Sequence, residues 1–97
     1  AMGINDILKP KREEILRIAR KHGVSRVQVF GSFARGEANE RSDLDLLIEV
    51  EGPTPPWFPG GRVADLEALL GRRVDVIEPD ALKEGMRARV LQEAVPL

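Results

Sequence analysis

The sequence predicts a small α/β (α+β) domain, a mixed β-sheet with helices packed on one face. Three observations carry that prediction. The chain orders its elements as helix, strand, strand, helix, strand, helix. Residues 43–50 alternate, with Leu44, Leu46, Ile48 and Val50 pointing one way and Asp43 and Asp45 the other, the period of a strand with one covered face. The chain has 97 residues, which suits a single domain over 1–97 that buries roughly 60–68% of its unfolded surface.

Taken in order, residues 4–8 suit a short helical turn, and residues 1–3 read as an expression remnant or an unstructured end, with the native Met second. A helix is predicted over 10–22. Pro10 suits its first turn, Ile15, Ile18 and Ala19 follow helical spacing, and Gly23 stops it. Glu13 and Glu14 sit early and Arg20, Lys21 and His22 late, which complements the helix dipole. Because those glutamates interleave with Lys11, Arg12 and Arg17, the helix reads as a solvated face rather than an RNA-binding one. His22, the only histidine, reads as a helix-end residue rather than a ligand or base.

Residues 24–30 form the first strand. Gly31-Ser32 breaks it, residues 33–36 make one helical turn, and 37–41 is polar loop. The second strand runs over 43–50. Residues 51–61 hold four prolines and three glycines in eleven positions, which forbids regular structure. Trp57 and Phe58 within this loop either fold back over the core or meet a partner. A helix over 63–70 ends at Gly71, a short strand covers 74–77, and Pro79 stops it. Asp80 is a candidate cap for a last helix through 90–94, with Met86, Val90, Leu91 and Ala94 as its apolar face.

Composition excludes several classes. With 42% hydrophobic and 32% charged residues the chain is not disordered, and a net charge of −1 gives no global attraction to nucleic acid. There is no cysteine, so disulfides and thiolate metal sites are impossible. No apolar run approaches membrane-spanning length and no signal peptide is visible, so the expected location is cytoplasmic.

The chemistry gathers in two stretches. Gly31-Ser32 follows an apolar strand, where its backbone N–H groups and hydroxyl suit a phosphate. Ten residues later come Asp43 and Asp45, which share a face and repel each other unless a cation lies between them; a hard divalent ion is the usual solution. A lone Asp-x-Asp is a weak signal. Asp75, however, lies between Val74 and Val76, and a buried carboxylate there needs a partner, either Arg72 or Arg73 or a shared cation. If Val74 and Val76 face the core with Leu44 and Leu46, Asp75 joins Asp43 and Asp45 on the open sheet face. Three converging carboxylates suit two-metal phosphoryl or nucleotidyl transfer.

The spacing Gly31-Ser32, ten residues, Asp43-Leu44-Asp45 resembles the signature of the polymerase-beta-like nucleotidyltransferase superfamily. The segments 29–37, 42–47, 71–76 and the closing Arg89-Val90-Leu91-Gln92-Glu93-Ala94-Val95 look like its minimal nucleotidyltransferase (MNT) group, over nearly the whole chain from Pro10. That resemblance implies a prokaryotic, magnesium-dependent transferase paired with a HEPN-type ribonuclease toxin. The MNT protein would be the antitoxin, moving AMP from ATP onto a tyrosine of the toxin. Carried over by position, Gly31 and Ser32 would hold the β- and γ-phosphates of ATP. Asp43 and Asp45 would bind two magnesium ions. Asp75 would hold the ion that activates the hydroxyl and help take its proton. Arg35 and Arg41 are candidate phosphate or partner contacts, with solvated loop arginines as the plainer reading. The departure is the proline-rich stretch 53–61, where a more helical, aliphatic connection is expected. The partners implied are a toxin protein and a nucleoside triphosphate, in a homo- or hetero-oligomer, without membrane or direct nucleic-acid binding. Two other functions remain open from the sequence: an antitoxin that masks its partner by contact alone, and nucleotidyl transfer to a small molecule.

Overall fold

The computed structural model describes residues 1–51 and 63–97. Apart from Glu51, the proline- and glycine-rich stretch with Trp57 and Phe58 lies outside the described residues. Among the described residues, four strands form one mixed sheet: β1 (Val24–Phe30), β2 (Leu44–Val50), β3 (Val74–Ile77) and β4 (Val95–Pro96), in spatial order β3-β2-β1-β4. β1 and β2 are antiparallel, pairing Val29 with Leu46 and Phe30 with Asp45. β2 and β3 are parallel, pairing Leu44 with Val74, Asp45 with Asp75 and Leu46 with Val76. The helices are α1 (Ile4–Ile7), α2 (Arg12–Lys21), α3 (Ser32–Arg35), α4 (Ala64–Leu70) and α5 (Glu84–Glu93), with 3₁₀ turns at Lys9–Lys11 and Pro79–Ala81.

Strand alternation divides the sheet into two unlike faces. Val27, Val29, Leu44, Leu46, Ile48, Val74 and Val76 point into the main core. There they meet Ile15 and Ala19 of α2 and Leu66 and Leu70 of α4, so these two helices form the expected layer. The helix ends are tied as well: Asp65 of α4 pairs with Lys21 at 2.8 Å and stands 3.4 Å from His22 Nε2. His22 thus closes α2, as its position in the sequence predicts. Glu67 of α4 accepts from the Val74 N–H at 2.9 Å, which fixes where β3 begins.

The other face carries a smaller cluster of Phe30, Leu47 and Val90, with Ile77, Leu82 and Ala94 against it. Val90 comes from α5, so this helix lies across the sheet from α2 and α4 and not with them on the single helical face that the sequence predicts. The reason is the same alternation: Phe30 and Leu47 are the apolar residues that point away from the main core, and Val90 covers them.

Three local features differ from the sequence reading. The last helix starts at Glu84 with Lys83 as its cap residue, because Pro79–Ala81 closes a separate 3₁₀ turn and Leu82 and Lys83 are extended. Asp80 lies inside that turn and is not the cap residue of the last helix. β4 follows α5 directly and pairs Val95 with Val29 and Pro96 with Gln28. Its two residues give no period to read, and an edge position suits a residue without an N–H. At the other end, Met2 and Ala38 exchange backbone hydrogen bonds of 2.6 and 3.0 Å, so residue 2 belongs to the fold.

Leu46 is 1% exposed at the centre of the main core, whereas Val90 anchors α5 alone among its buried residues. Leu46→Ala is expected to cost about 3 kcal/mol of global stability in urea unfolding, and Val90→Ala about half as much.

Candidate active site

The site begins where β1 ends. Gly31 turns the chain into α3 with φ 76° and ψ −154°, a backbone that side chains other than glycine rarely adopt. A second constraint acts at the same position. A Cβ on Gly31 would run into the carboxylate of Asp45. The turn therefore lies directly against β2, and Ser32 opens α3 beside it.

Asp43 immediately precedes β2, Asp45 lies within it, and Asp75 is the β3 partner of Asp45 in the parallel ladder. All three line one cleft of about 570 Å³ together with Gly31, Ser32 and Arg35. Met86, Arg89 and Glu93 of α5 form its other wall. The sequence-predicted residues thus meet in one place, apart from Arg41. Arg41 does not line this cleft; its N–H donates to Asn39 Oδ1 at 2.8 Å within its own loop.

The three carboxylates make no ion pair among the described residues. Asp45 bears the cost: burial first, then the charges of Asp75 and Asp43, push its carboxyl up to about 6 against the opposing pull of Arg35. The sequence left Arg72 open as a partner for Asp75. Instead, Arg72 Nη1 donates to the carbonyls of Asn39 at 3.2 Å and Ser42 at 3.0 Å, and its guanidinium lies 4.9 Å from the Phe33 ring centre. It ties the Gly31-Ser32-Phe33 turn to the loop that delivers Asp43. That loop is further fixed by Asn39 N–H donating to Ser42 Oγ at 2.8 Å and Leu44 N–H donating to the Arg73 carbonyl at 2.9 Å.

Glu93 is the site residue that sequence reasoning passed over. It accepts from the Gly31 N–H at 2.7 Å through Oε2 and from Arg35 Nη1 at 2.7 Å through Oε1. Burial opposes its charge, but the bonds from Arg35 and Gly31 outweigh that and hold its carboxyl below the usual glutamate range. One signal was available. Glu93 lies three positions after Val90, so the two share a helix face, and Val90 faces the sheet.

The donor set suits a hard divalent cation, because it is all carboxylate, unpaired and mutually repulsive. It is not a closed cage: no three donors stand at coordinating spacing among the described residues. A hard divalent ion held there would complete its shell with water and substrate phosphate oxygens.

A family model described as a nucleotidyltransferase domain matches residues 12–97. The chain belongs to this family. It is a nucleotidyltransferase of the minimal group. The protein adenylyltransferase MntA of Thermococcus cleftensis is 40% identical over 93 residues, covering 95% of this chain and 90% of that one. A solved structure provisionally described as a minimal nucleotidyltransferase is 42% identical, with a TM-score of 0.72 over 99% of this chain and 97% of the other. A toxin–antitoxin crystal structure with AMP-PNP shares the fold at 16% identity, with a TM-score of 0.70 over 87% of this chain and 69% of that one.

Two outcomes follow for this nucleotidyltransferase site. The folded-state value of about 6 for Asp45 lies above the ordinary aspartate value near 4. The folded protein therefore holds a proton there that the unfolded chain releases, and its stability contribution is lost as pH rises through about 6. In metal-free buffer, the melting temperature of the wild type should fall relative to Asp45→Asn between about pH 4 and 6 and level off above that. Gly31→Ala faces both the positive φ and the Asp45 carboxylate. It should cost about 1–3 kcal/mol in chemical denaturation and weaken nucleotide binding in calorimetry.

Proposed function

We propose that this nucleotidyltransferase moves AMP from ATP onto a protein hydroxyl, a tyrosine of a HEPN-type toxin, and acts as the antitoxin of that pair in the cytoplasm. The observation that carries the reading is the convergence of Asp43, Asp45 and Asp75 with the Gly31-Ser32 turn on one open cleft. Two features favour a protein acceptor. The relative from Thermococcus cleftensis is named for adenylyl transfer to protein, at 40% identity over most of both chains. On this chain Met86 lines the cleft at 39% exposed, with Leu91 of the same helix 46% exposed. Apolar side chains left bare at a rim suit a macromolecule that docks there. A partner is also in keeping with the shared fold of this chain and a chain of a toxin–antitoxin structure. Among the described residues no helix is long and apolar enough to cross a membrane.

In this reading Asp43 and Asp45 would hold two magnesium ions, with Asp75 on the one nearer the acceptor; when bound, these ions neutralise phosphate charge and make the acceptor hydroxyl more acidic. The rest is done by the chain. Ser32 offers its hydroxyl to the triphosphate, and Arg35 sets a positive charge beside it. The acceptor oxygen forms a bond to the α-phosphorus, the bond from that phosphorus to the bridging oxygen breaks, and pyrophosphate leaves. The hydroxyl proton passes to Asp75 or to water. Positioning and charge complementarity supply most of the rate, and no strong base is needed.

The test is incubation with the product of the adjacent gene, Mg²⁺ and ATP labelled at its α-phosphate. Label should appear on a tyrosine of that protein, vanish with chelator, and fall at least about a hundredfold with Asp75→Asn. No label from the wild type, with full neutralisation of the toxin by an Asp43→Ala/Asp45→Ala variant, would replace the enzymatic reading with masking by contact. Label on a small molecule in place of protein would overturn the acceptor.

A further inference from the structure

Glu93 adds a fourth carboxylate to a cleft that already holds Asp43, Asp45 and Asp75. Such a group belongs in this cleft only if its bonds offset the repulsion, and both of its oxygens are engaged. Oε2 takes the Gly31 N–H and Oε1 takes Arg35 Nη1, each at 2.7 Å, with the side chain only 17% exposed. The Gly31 N–H lies beyond the β1–β2 ladder, which ends at Phe30. The bond therefore reaches from α5 to the turn across 62 positions of sequence.

The turn is then held from two sides. Asp45 abuts the Cα of Gly31, where no Cβ could fit, and Glu93 takes its N–H. Arg35 is fixed too, with Nε donating to Glu37 at 3.2 Å and Nη1 to Glu93. Its Nη2 has no acceptor among the described residues, so one edge of the guanidinium stays available for an anion.

We infer that Glu93 is a positioning residue: it sets the Gly31-Ser32 turn and the Arg35 guanidinium in place before nucleotide arrives. This rests on the nucleotidyl-transfer reading above. It has a specific consequence. The Gly31 N–H is not a phosphate donor, and the triphosphate is received by Ser32 and the free edge of Arg35.

The test uses the whole chain, Mg²⁺ and a non-hydrolysable ATP analogue, with Glu93→Ala, Glu93→Asp and Glu93→Gln. In free wild type the Gly31 amide should exchange slowly by NMR, and stay slow when the analogue binds. In Glu93→Ala, and in Glu93→Asp with its shorter arm, it should exchange fast. Analogue affinity should then fall at least about tenfold while the melting temperature shows the fold intact, because the bond lost is to a charged acceptor. The amide oxygen of Glu93→Gln can still accept from Gly31 but its NH2 cannot accept from Arg35, so that variant should keep slow exchange and bind the analogue with an affinity between those of wild type and Glu93→Ala. In steady state the loss in Glu93→Asp should fall on KM for ATP more than on kcat. Wild-type binding accompanied by equal or tighter binding to Glu93→Ala would overturn the inference, since Glu93 would then be an anion that phosphate displaces. Fast exchange at Gly31 in free wild type would overturn it as well. A wild type that binds no nucleotide would instead bring down the nucleotidyl-transfer reading, and the inference with it.

Discussion

Crowding like charges is the constraint around which this molecule is arranged. The parallel β2–β3 ladder puts Asp45 beside Asp75, and Asp43 enters β2 two residues earlier. Burial of Asp45, with the charges of Asp75 and Asp43 beside it, makes that carboxyl hard to ionise. A fold selected only for stability would place a lysine or an apolar residue in that ladder. Retaining three acidic groups there is sensible when a cation and a polyphosphate complete the charge balance. The surrounding bonds keep the carboxylates from separating: Arg72 holds the loop before Asp43, Glu67 fixes the start of β3, and Gly31 closes on Asp45.

The strand period turns this into a division of labour between the faces of one sheet. Leu44, Leu46, Val74 and Val76 form the core under α2 and α4. Their neighbours Asp45 and Asp75 are thereby sent to the side where packing is thin. Chemistry and stability share the same strands without competing for the same positions, since a slip of one residue in register would exchange the two sets.

That alternation explains how much could be read from the sequence. β1 and β3 were legible to the residue, and the strand carrying Asp43-Leu44-Asp45 to within one, because apolar spacing and the Gly31, Gly71 and Pro79 breaks agree with the tertiary fold. The convergence of Asp75 with Asp43 and Asp45 was legible because it needs only that the apolar partners share a core. β4 was not legible: two residues pairing with Val29 across the whole chain leave no periodic trace. The partner of Arg72 was left open for a similar reason. Its bonds go to backbone carbonyls of Asn39 and Ser42, which any residue type supplies. Glu93 was hidden in a segment already assigned to helix, where a carboxylate reads as solvated until the face it shares with Val90 is known.

The attachment of α5 has a consequence for how the activity can be lost. Ten residues long, this helix buries Val90 alone, while the main core lies on the far side of the sheet. It also carries Glu93, which reaches the Gly31-Ser32 turn. Partial opening of this protein should therefore begin at α5 and disarm the cleft before the core dissolves. Heat, mild denaturant or a protease acting on the helix would leave a chain that is still folded by most measures and catalytically silent. The lifetime of transferase activity is then set by the docking of one helix rather than by the stability of the domain.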